Sequence, residues 1–205
     1  MAKILSGWAR AGTARLFDPV ARALLRARIS PDAVTVAGTV GVLVGAIGYG
    51  ARGHLVAGTV IVTLSTFTDM IDGSMARQRG RTGRFGAFLD STMDRVADGA
   101  VFGAVAYWLG TQGRHWATAA ALICLVTGQI VSYAKARAEG LGMTANVGIA
   151  ERFERLALVG LGGLVSGFGW KYGLDVALWL LAVLSVVTIG QRVATVYRQD
   201  REAHP

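Results

Sequence analysis

The run "VTVAGTVGVLVGAIGYG" fills Val34–Gly50 without a charged residue. The run "VALWLLAVLSVVTIG" does the same over Val176–Gly190. A helix needs about 20 mostly apolar residues to cross the hydrocarbon core of a bilayer, and each run sits inside a segment of that length. Applied outward along the chain, this pattern predicts six spans, near residues 32–51, 56–77, 86–110, 116–137, 153–169 and 173–195. The third is polar in its first half and apolar in its second. Glycine, at 28 of 205 residues, is frequent enough to let membrane helices pack closely. No internal repeat, linker or shift in composition marks a second domain. The expectation is an all-α integral membrane protein with one domain over residues 1–205: an interfacial helix region at 1–30, a bundle of six transmembrane helices at 31–198 and a tail at 199–205.

Charge predicts the orientation. The chain has 21 Lys and Arg against 13 Asp and Glu, a net charge of +8. Arg52, Arg114 and Lys171 are the only basic residues in the first, third and fifth connections; the other 18 lie at the termini or in and beside the second and fourth. Cytoplasmic loops carry the excess of Lys and Arg. Both termini are therefore expected in the cytoplasm, with the chain multi-pass in the cell inner (plasma) membrane. No aromatic residues interleave the basic ones as single-strand binding favours, so nucleic acid is not an expected partner. Cys124 lies alone in an apolar run and reads as a small core residue. Lys3 is not followed by a compact apolar run and a small-residue cleavage site, so no cleaved signal peptide is expected.

Ahead of the first span, Phe17, Val20, Ala21, Leu24 and Leu25 fall on one helical face, and Arg15, Arg22 and Arg26 on the other. This predicts an N-terminal amphipathic interfacial helix on the inner leaflet. Asp18 before Pro19 reads as its N-cap, and Ser30-Pro31 repeats that start signal for the first span.

Chemistry concentrates in "TDMIDGSMARQRGRTGRFGAFLDSTMD", Thr68–Asp94. Asp69 and Asp72 are three apart and share a helix face; Asp90 and Asp94 are four apart and share another. Between them Gly80, Gly83 and Gly86, with Arg77, Arg79, Arg81 and Arg84, read as a tight turn joining two antiparallel helices. That turn brings the acid pairs face to face. An ionised acid in the middle of a membrane helix costs roughly 3 kcal/mol, and four together repel. Such a group persists where it faces a wet cavity and holds cations. Oxygen ligands favour Mg²⁺, Mn²⁺ or Ca²⁺. Four carboxylates on facing helices suit two ions, an arrangement that clamps phosphoryl transfer. Pairing with nearby arginines accounts for one acid but poorly for four. Asp98, one turn further, reads as a structural hydrogen-bonding residue. A divalent-cation transporter would also use intramembrane acids, but would spread them across the bilayer rather than cluster them toward one side.

Asp69, Asp72-Gly73, Ala76-Arg77, Gly86, Asp90 and Asp94 fit the pattern D-x2-D-G-x2-A-R-x8-G-x3-D-x3-D without a departure. This resembles the signature of the CDP-alcohol phosphotransferases, a family that six spans and an N-terminal surface helix also suit. The resemblance implies that an acceptor hydroxyl attacks the phosphorus next to the diacylglycerol of CDP-diacylglycerol and that CMP leaves. It implies Asp69, Asp72, Asp90 and Asp94 as metal ligands, Asp94 also as the base, and Mg²⁺, two ions per site, or Mn²⁺ as cofactor. It implies contacts to CDP-diacylglycerol from Asp32, Thr35, Asp69, Gly73, Arg77, Thr82 and Gly83, and it implies a homodimer. Asp32 reads equally as a first-turn acid favoured by the helix dipole. Gly73 lets a ligand approach the backbone, and Arg77 offers a planar donor fork to the pyrophosphate.

The fourth span ends "SYAKARAEG" and the fifth begins "ERFER". Lys135, Arg137, Arg152, Arg155 and Arg192 are thereby expected at the same end as the acids. Each also reads as a topological anchor, but five cations there suggest a second anion site, for an acceptor that already carries a phosphate. The "SYAKARAE" run resembles the actinobacterial branch of the family, whose acceptor is inositol phosphate. Relatives that use glycerol 3-phosphate also carry basic residues here, and a phosphatidylglycerophosphate synthase is the alternative.

Overall fold

The structure, a computed structural model, describes residues 17–78 and 83–203. Helix α1 occupies residues 17–26. It is followed by α2 (Pro31–Leu43), α3 (Leu55–Thr66), α4 (Thr68–Gln78), α5 (Arg84–Thr111), α6 (His115–Gly140), α7 (Arg152–Gly167) and α8 (Gly173–Ala203). A π-helical turn, Val44–Tyr49, and a 3-10 turn, Gly50–Arg52, extend α2. No strand occurs among the described residues. The chain is an all-α membrane protein. Among the described residues, four stretches are long and apolar enough to cross a bilayer: Pro31–Arg52, Leu55–Gln78, His115–Gly140 and Gly173–Ala203. The expected third and fifth spans fall short of that measure. α5 carries five charged residues from Arg84 to Asp98 before its apolar half begins. α7 has only 16 residues, against the roughly 20 that a span needs.

The chain forms two compact units. Among the described residues, the first comprises 17–44, 60–78 and 83–97. Within it α1 is closed by Arg28, just past its last helical residue, whose φ of 58° puts it in the left-handed region. Arg28 N–H donates to the Leu25 carbonyl and Ile29 N–H to the Leu24 carbonyl, each at 3.0 Å. This is the pattern that closes a helix where glycine is usual. Ser30 then caps α2 by accepting from Ala33 N–H at 3.1 Å, with Pro31 in the first helical position, as the sequence predicts. Asp18 behaves differently from the N-cap expectation. Phe17 is already helical, and the Asp18 carboxylate accepts from Ser74 Oγ at 2.6 Å and Gln78 Nε2 at 3.4 Å on α4. Ala21 forms a buried cluster with Val34 and Met75, and Leu24, Leu25, Ile29 and Ile71 pack around it. Much of the apolar face of α1 therefore lies against α2 and α4. Val20 stays 45% exposed.

α2 and α4 approach closely because Gly38 has no side chain. A Cβ at Gly38 would overlap Thr68 Oγ1, and one at Gly41 would overlap Ser65 Oγ. The helical path breaks at Phe67 between α3 and α4. There Thr66 Oγ1 donates to the Thr63 carbonyl at 2.8 Å and Thr68 Oγ1 to the Ser65 carbonyl at 2.6 Å. Hydroxyls bonding back to carbonyls of the preceding turn bend a helix.

Among the described residues, the second unit comprises 45–59 and 98–203. Its core is the α6–α8 contact. Ala117, Ala120, Ala121, Cys124 and Val131 are buried on α6, and Leu174, Leu178 and Leu181 are buried on α8. Cys124 donates its thiol to the Leu178 carbonyl at 3.2 Å, which suits the small core residue expected. Three side chains of α8 hold the connection between α6 and α7. Thr188 Oγ1 accepts from Ile149 and Ala150 N–H at 3.1 and 3.0 Å. Arg192 Nε donates to the Val147 carbonyl at 2.9 Å, and Gln199 brackets Thr144 at 3.0 and 2.6 Å.

Candidate active site

In the first unit, α4 supplies Asp69 in its first turn, then Asp72, Gly73 and Arg77; α5 supplies Asp90 and Asp94. Asp69, Asp72 and Asp90 come together, with a carboxylate oxygen from each lying within 4.8 Å of the others. Like charges that close repel strongly, so the arrangement calls for a cation. The donors are all carboxylate oxygens, the set that hard divalent ions prefer, and the residues fit such an ion. Asp94 stands outside this trio, one turn along α5 from Asp90, with its carboxylate 3.6 Å from the Arg95 guanidinium.

Asp72 is the most enclosed of the trio, at 7% exposure. Its Oδ2 accepts a 2.5 Å hydrogen bond from Thr35 Oγ1 on α2, and Thr35 is itself 6% exposed. The sequence reading treats Thr35 as a nucleotide contact; here its hydroxyl is engaged with a carboxylate of the trio. Asp32 lies one turn before Thr35, and a Cβ on Gly86 would come 3.5 Å from its Oδ1. Asp32 is thus beside the start of α5. Arg77 folds back along α4 so that a Cβ on Gly73 would lie 3.4 Å from its Nη1. Gly73 and Arg77 therefore present bare backbone and a guanidinium side by side. Gly83 is exposed, and its carbonyl accepts from Ala87 N–H at 3.1 Å in the first turn of α5. Thr82 lies outside the described residues.

The second unit holds its own charged group. Asp98, 2% exposed, is an ion-pair partner of both Arg155 and Arg152, the latter at 3.4 Å. Arg155 is 1% exposed. A Cβ at Gly128 on α6 would lie 3.3 Å from Arg155 Nε. Arg192, 3% exposed, donates to the carbonyls of Val131 and Val147 and pairs with Glu151 at 3.3 Å. Lys135 is half-buried and Arg137 exposed near the end of α6. Of the five cations expected to meet an acceptor, Arg155 and Arg192 are thus enclosed and held by the protein itself. Sequence reasoning missed Glu151, which pairs with Arg192, and Thr188, which accepts from the backbone N–H groups of Ile149 and Ala150. Glu151 had a signal, since it immediately precedes the helix that Arg152 begins.

The profile of the CDP-alcohol phosphatidyltransferase family matches residues 28–190. The chain belongs to the CDP-alcohol phosphatidyltransferase family. Members similar to it include the phosphatidylinositol phosphate synthase of Streptomyces avermitilis, 46% identical, with 98% of this chain and 85% of that protein covered. Two solved structures of the Mycobacterium tuberculosis phosphatidylinositol phosphate synthase are also similar at 46% identity. One has CDP-DAG bound, with a TM-score of 0.86 over 89% of this chain and 94% of that one. The other is in complex with manganese and citrate, with a TM-score of 0.85 over 88% of both chains. The eight positions of the Asp69–Asp94 pattern lie on α4 and the first half of α5, within the matched residues.

Proposed function

We propose that this phosphatidyltransferase is a phosphatidylinositol phosphate synthase: it transfers the phosphatidyl group of CDP-diacylglycerol to inositol phosphate and releases CMP. The observation that carries this reading is the Asp69–Asp72–Asp90 trio within 4.8 Å, set in the family signature. The synthases at 46% identity favour this substrate pair.

An acceptor hydroxyl oxygen forms a bond to the phosphorus that bears the diacylglycerol. The bond from that phosphorus to the bridging oxygen breaks, and CMP departs with that oxygen. Asp94 takes the hydroxyl proton; a base for this step must lie within hydrogen-bond reach of it. Asp69, Asp72, Asp90 and Asp94 hold the divalent cations, Mg²⁺ or Mn²⁺. When bound, such ions offset the charge of the pyrophosphate as it develops on the leaving oxygen. Arg77 meets the pyrophosphate through its planar fork. Gly73 admits it to the backbone, and Asp32, Thr82 and Gly83 meet the cytidine.

The cations Lys135, Arg137, Arg152, Arg155 and Arg192 take the phosphate of the acceptor. Lys135, Arg137 and Arg152 offer it hydrogen bonds, and the buried guanidinium groups of Arg155 and Arg192 add positive potential. Around this chemistry the chain is a single domain of six transmembrane helices with α1 as an interfacial helix. It is a homodimer in the plasma membrane with termini and active site cytoplasmic, and the uneven distribution of Lys and Arg supports that orientation.

CMP release from CDP-diacylglycerol tests the reading, measured with inositol phosphate, free inositol, glycerol 3-phosphate, serine or no acceptor. Release driven by inositol phosphate and not by free inositol is expected. Release driven best by glycerol 3-phosphate would reassign the acceptor, and none with any acceptor would overturn the activity.

A further inference from the structure

We propose that Thr35 is a positioning residue for Asp72, fixing the orientation of that carboxylate for the divalent cation. This rests on reading the Asp69–Asp72–Asp90 group as the cation site. Thr35 Oγ1 lies 2.5 Å from Asp72 Oδ2 and 3.2 Å from the Pro31 carbonyl oxygen. A hydroxyl has one hydrogen, and both neighbours only accept when the carboxylate is ionised. The hydrogen therefore goes to one of them. An ionised carboxylate is the stronger acceptor, and the Asp72 contact has the short length of a charge-assisted O–H···O⁻ bond.

The torsion that turns an aspartate carboxylate is broad and roughly two-fold, so packing alone leaves its plane loose. Thr35 removes that freedom from a carboxylate whose neighbours are two more anions. The reach of so short a side chain depends on the backbones being close. One turn further along α2, Gly38 provides this, since a Cβ there would overlap Thr68 on α4. Both Thr35 and Asp72 are more than nine-tenths buried, so the bond does not compete with bulk water. Partners that orient a metal ligand through hydrogen bonds characteristically change metal affinity or activity by about 10- to 100-fold when removed.

Mn²⁺ binding to the purified full-length protein in detergent, read by electron paramagnetic resonance, tests this directly. Thr35→Val keeps the shape and removes the hydroxyl. It is expected to weaken Mn²⁺ binding about 10- to 100-fold and to raise the Mg²⁺ concentration for half-maximal CMP release in parallel. At saturating metal its KM for CDP-diacylglycerol stays at the wild-type value. Thr35→Ser restores the hydroxyl and is expected to restore Mn²⁺ affinity. Thermal unfolding checks that each variant is folded, and Thr35→Ala replaces Thr35→Val if the latter is not. Wild-type Mn²⁺ affinity in a folded variant without the hydroxyl overturns the proposal. So does a raised KM for CDP-diacylglycerol at saturating metal with Mn²⁺ affinity intact, which would make Thr35 a nucleotide contact. Asp72→Asn separates the two levels: if it binds Mn²⁺ like wild type, the cation site itself is misassigned, whatever Thr35 does.

Discussion

Asp94 and Asp98 are one helical turn apart on α5, yet their surroundings assign them different work. Asp94 is partly exposed and stands one turn past the Asp69–Asp72–Asp90 trio, where it is proposed to serve as both a cation ligand and the base. Asp94→Asn keeps the shape and removes the basicity. General-base catalysis is worth about 10²- to 10⁴-fold, so turnover should fall by about that factor while CDP-diacylglycerol binding persists; single-turnover kinetics beside a binding assay separate the two. Asp98 is buried and pairs with both Arg155 and Arg152. Removing one partner of a buried ion pair strands the other charge and costs about 3–5 kcal/mol. Asp98→Ala should therefore lower the thermal unfolding temperature in detergent markedly, and the double variant Asp98→Ala with Arg155→Met should recover much of that loss. Spacing alone separated the two acids only in part: Asp98 read as structural because it lies deeper, but its arginine partners are more than fifty residues away in sequence.

At the scale of elements, the acid site depends on how α1, α2 and α4 are held. Gly38→Leu places a branched side chain where Thr68 stands. Overpacking of this kind typically costs about 1–3 kcal/mol, and here the strain falls on the start of α4, one residue before Asp69. Weaker Mn²⁺ binding and a lower unfolding temperature are expected together; a variant that loses stability but binds Mn²⁺ normally would show that the α2–α4 approach does not set the site. The starts of α2 and α4 illustrate what a sequence makes legible. Ser30-Pro31-Asp32 is a local signal, and α2 begins there. The break at Phe67 has no glycine or proline to announce it. It comes from Thr66 and Thr68 bonding back to earlier carbonyls, a choice that threonine in a helix makes or declines according to its neighbours. Asp18 failed as a cap for a similar reason: its partners, Ser74 and Gln78, are distant in sequence and appear only once α1 lies along α4.

For the whole molecule, apolar runs announced a membrane protein, and α5 and α7 were the elements that hydropathy judged least well. α5 carries five charged residues from Arg84 to Asp98 and α7 is short, so neither resembles a plain span. The approach of Asp69, Asp72 and Asp90 was legible because their spacing is a local helical pattern on α4 and α5, whereas the separate position of Asp94 was not. Chelation should abolish turnover, with Mg²⁺ or Mn²⁺ restoring it, and full activity in excess EDTA would remove the cation from the account. The most direct test of the central claim follows the acceptor's own phosphate. Inositol phosphate radiolabelled in its phosphate is incubated with CDP-diacylglycerol and the purified protein, and both the lipid-phase label and the CMP are measured. The account predicts label entering the lipid in equal amount to CMP, only when a divalent cation is present. CMP formed without labelled lipid, or labelled lipid formed in chelator, would contradict it.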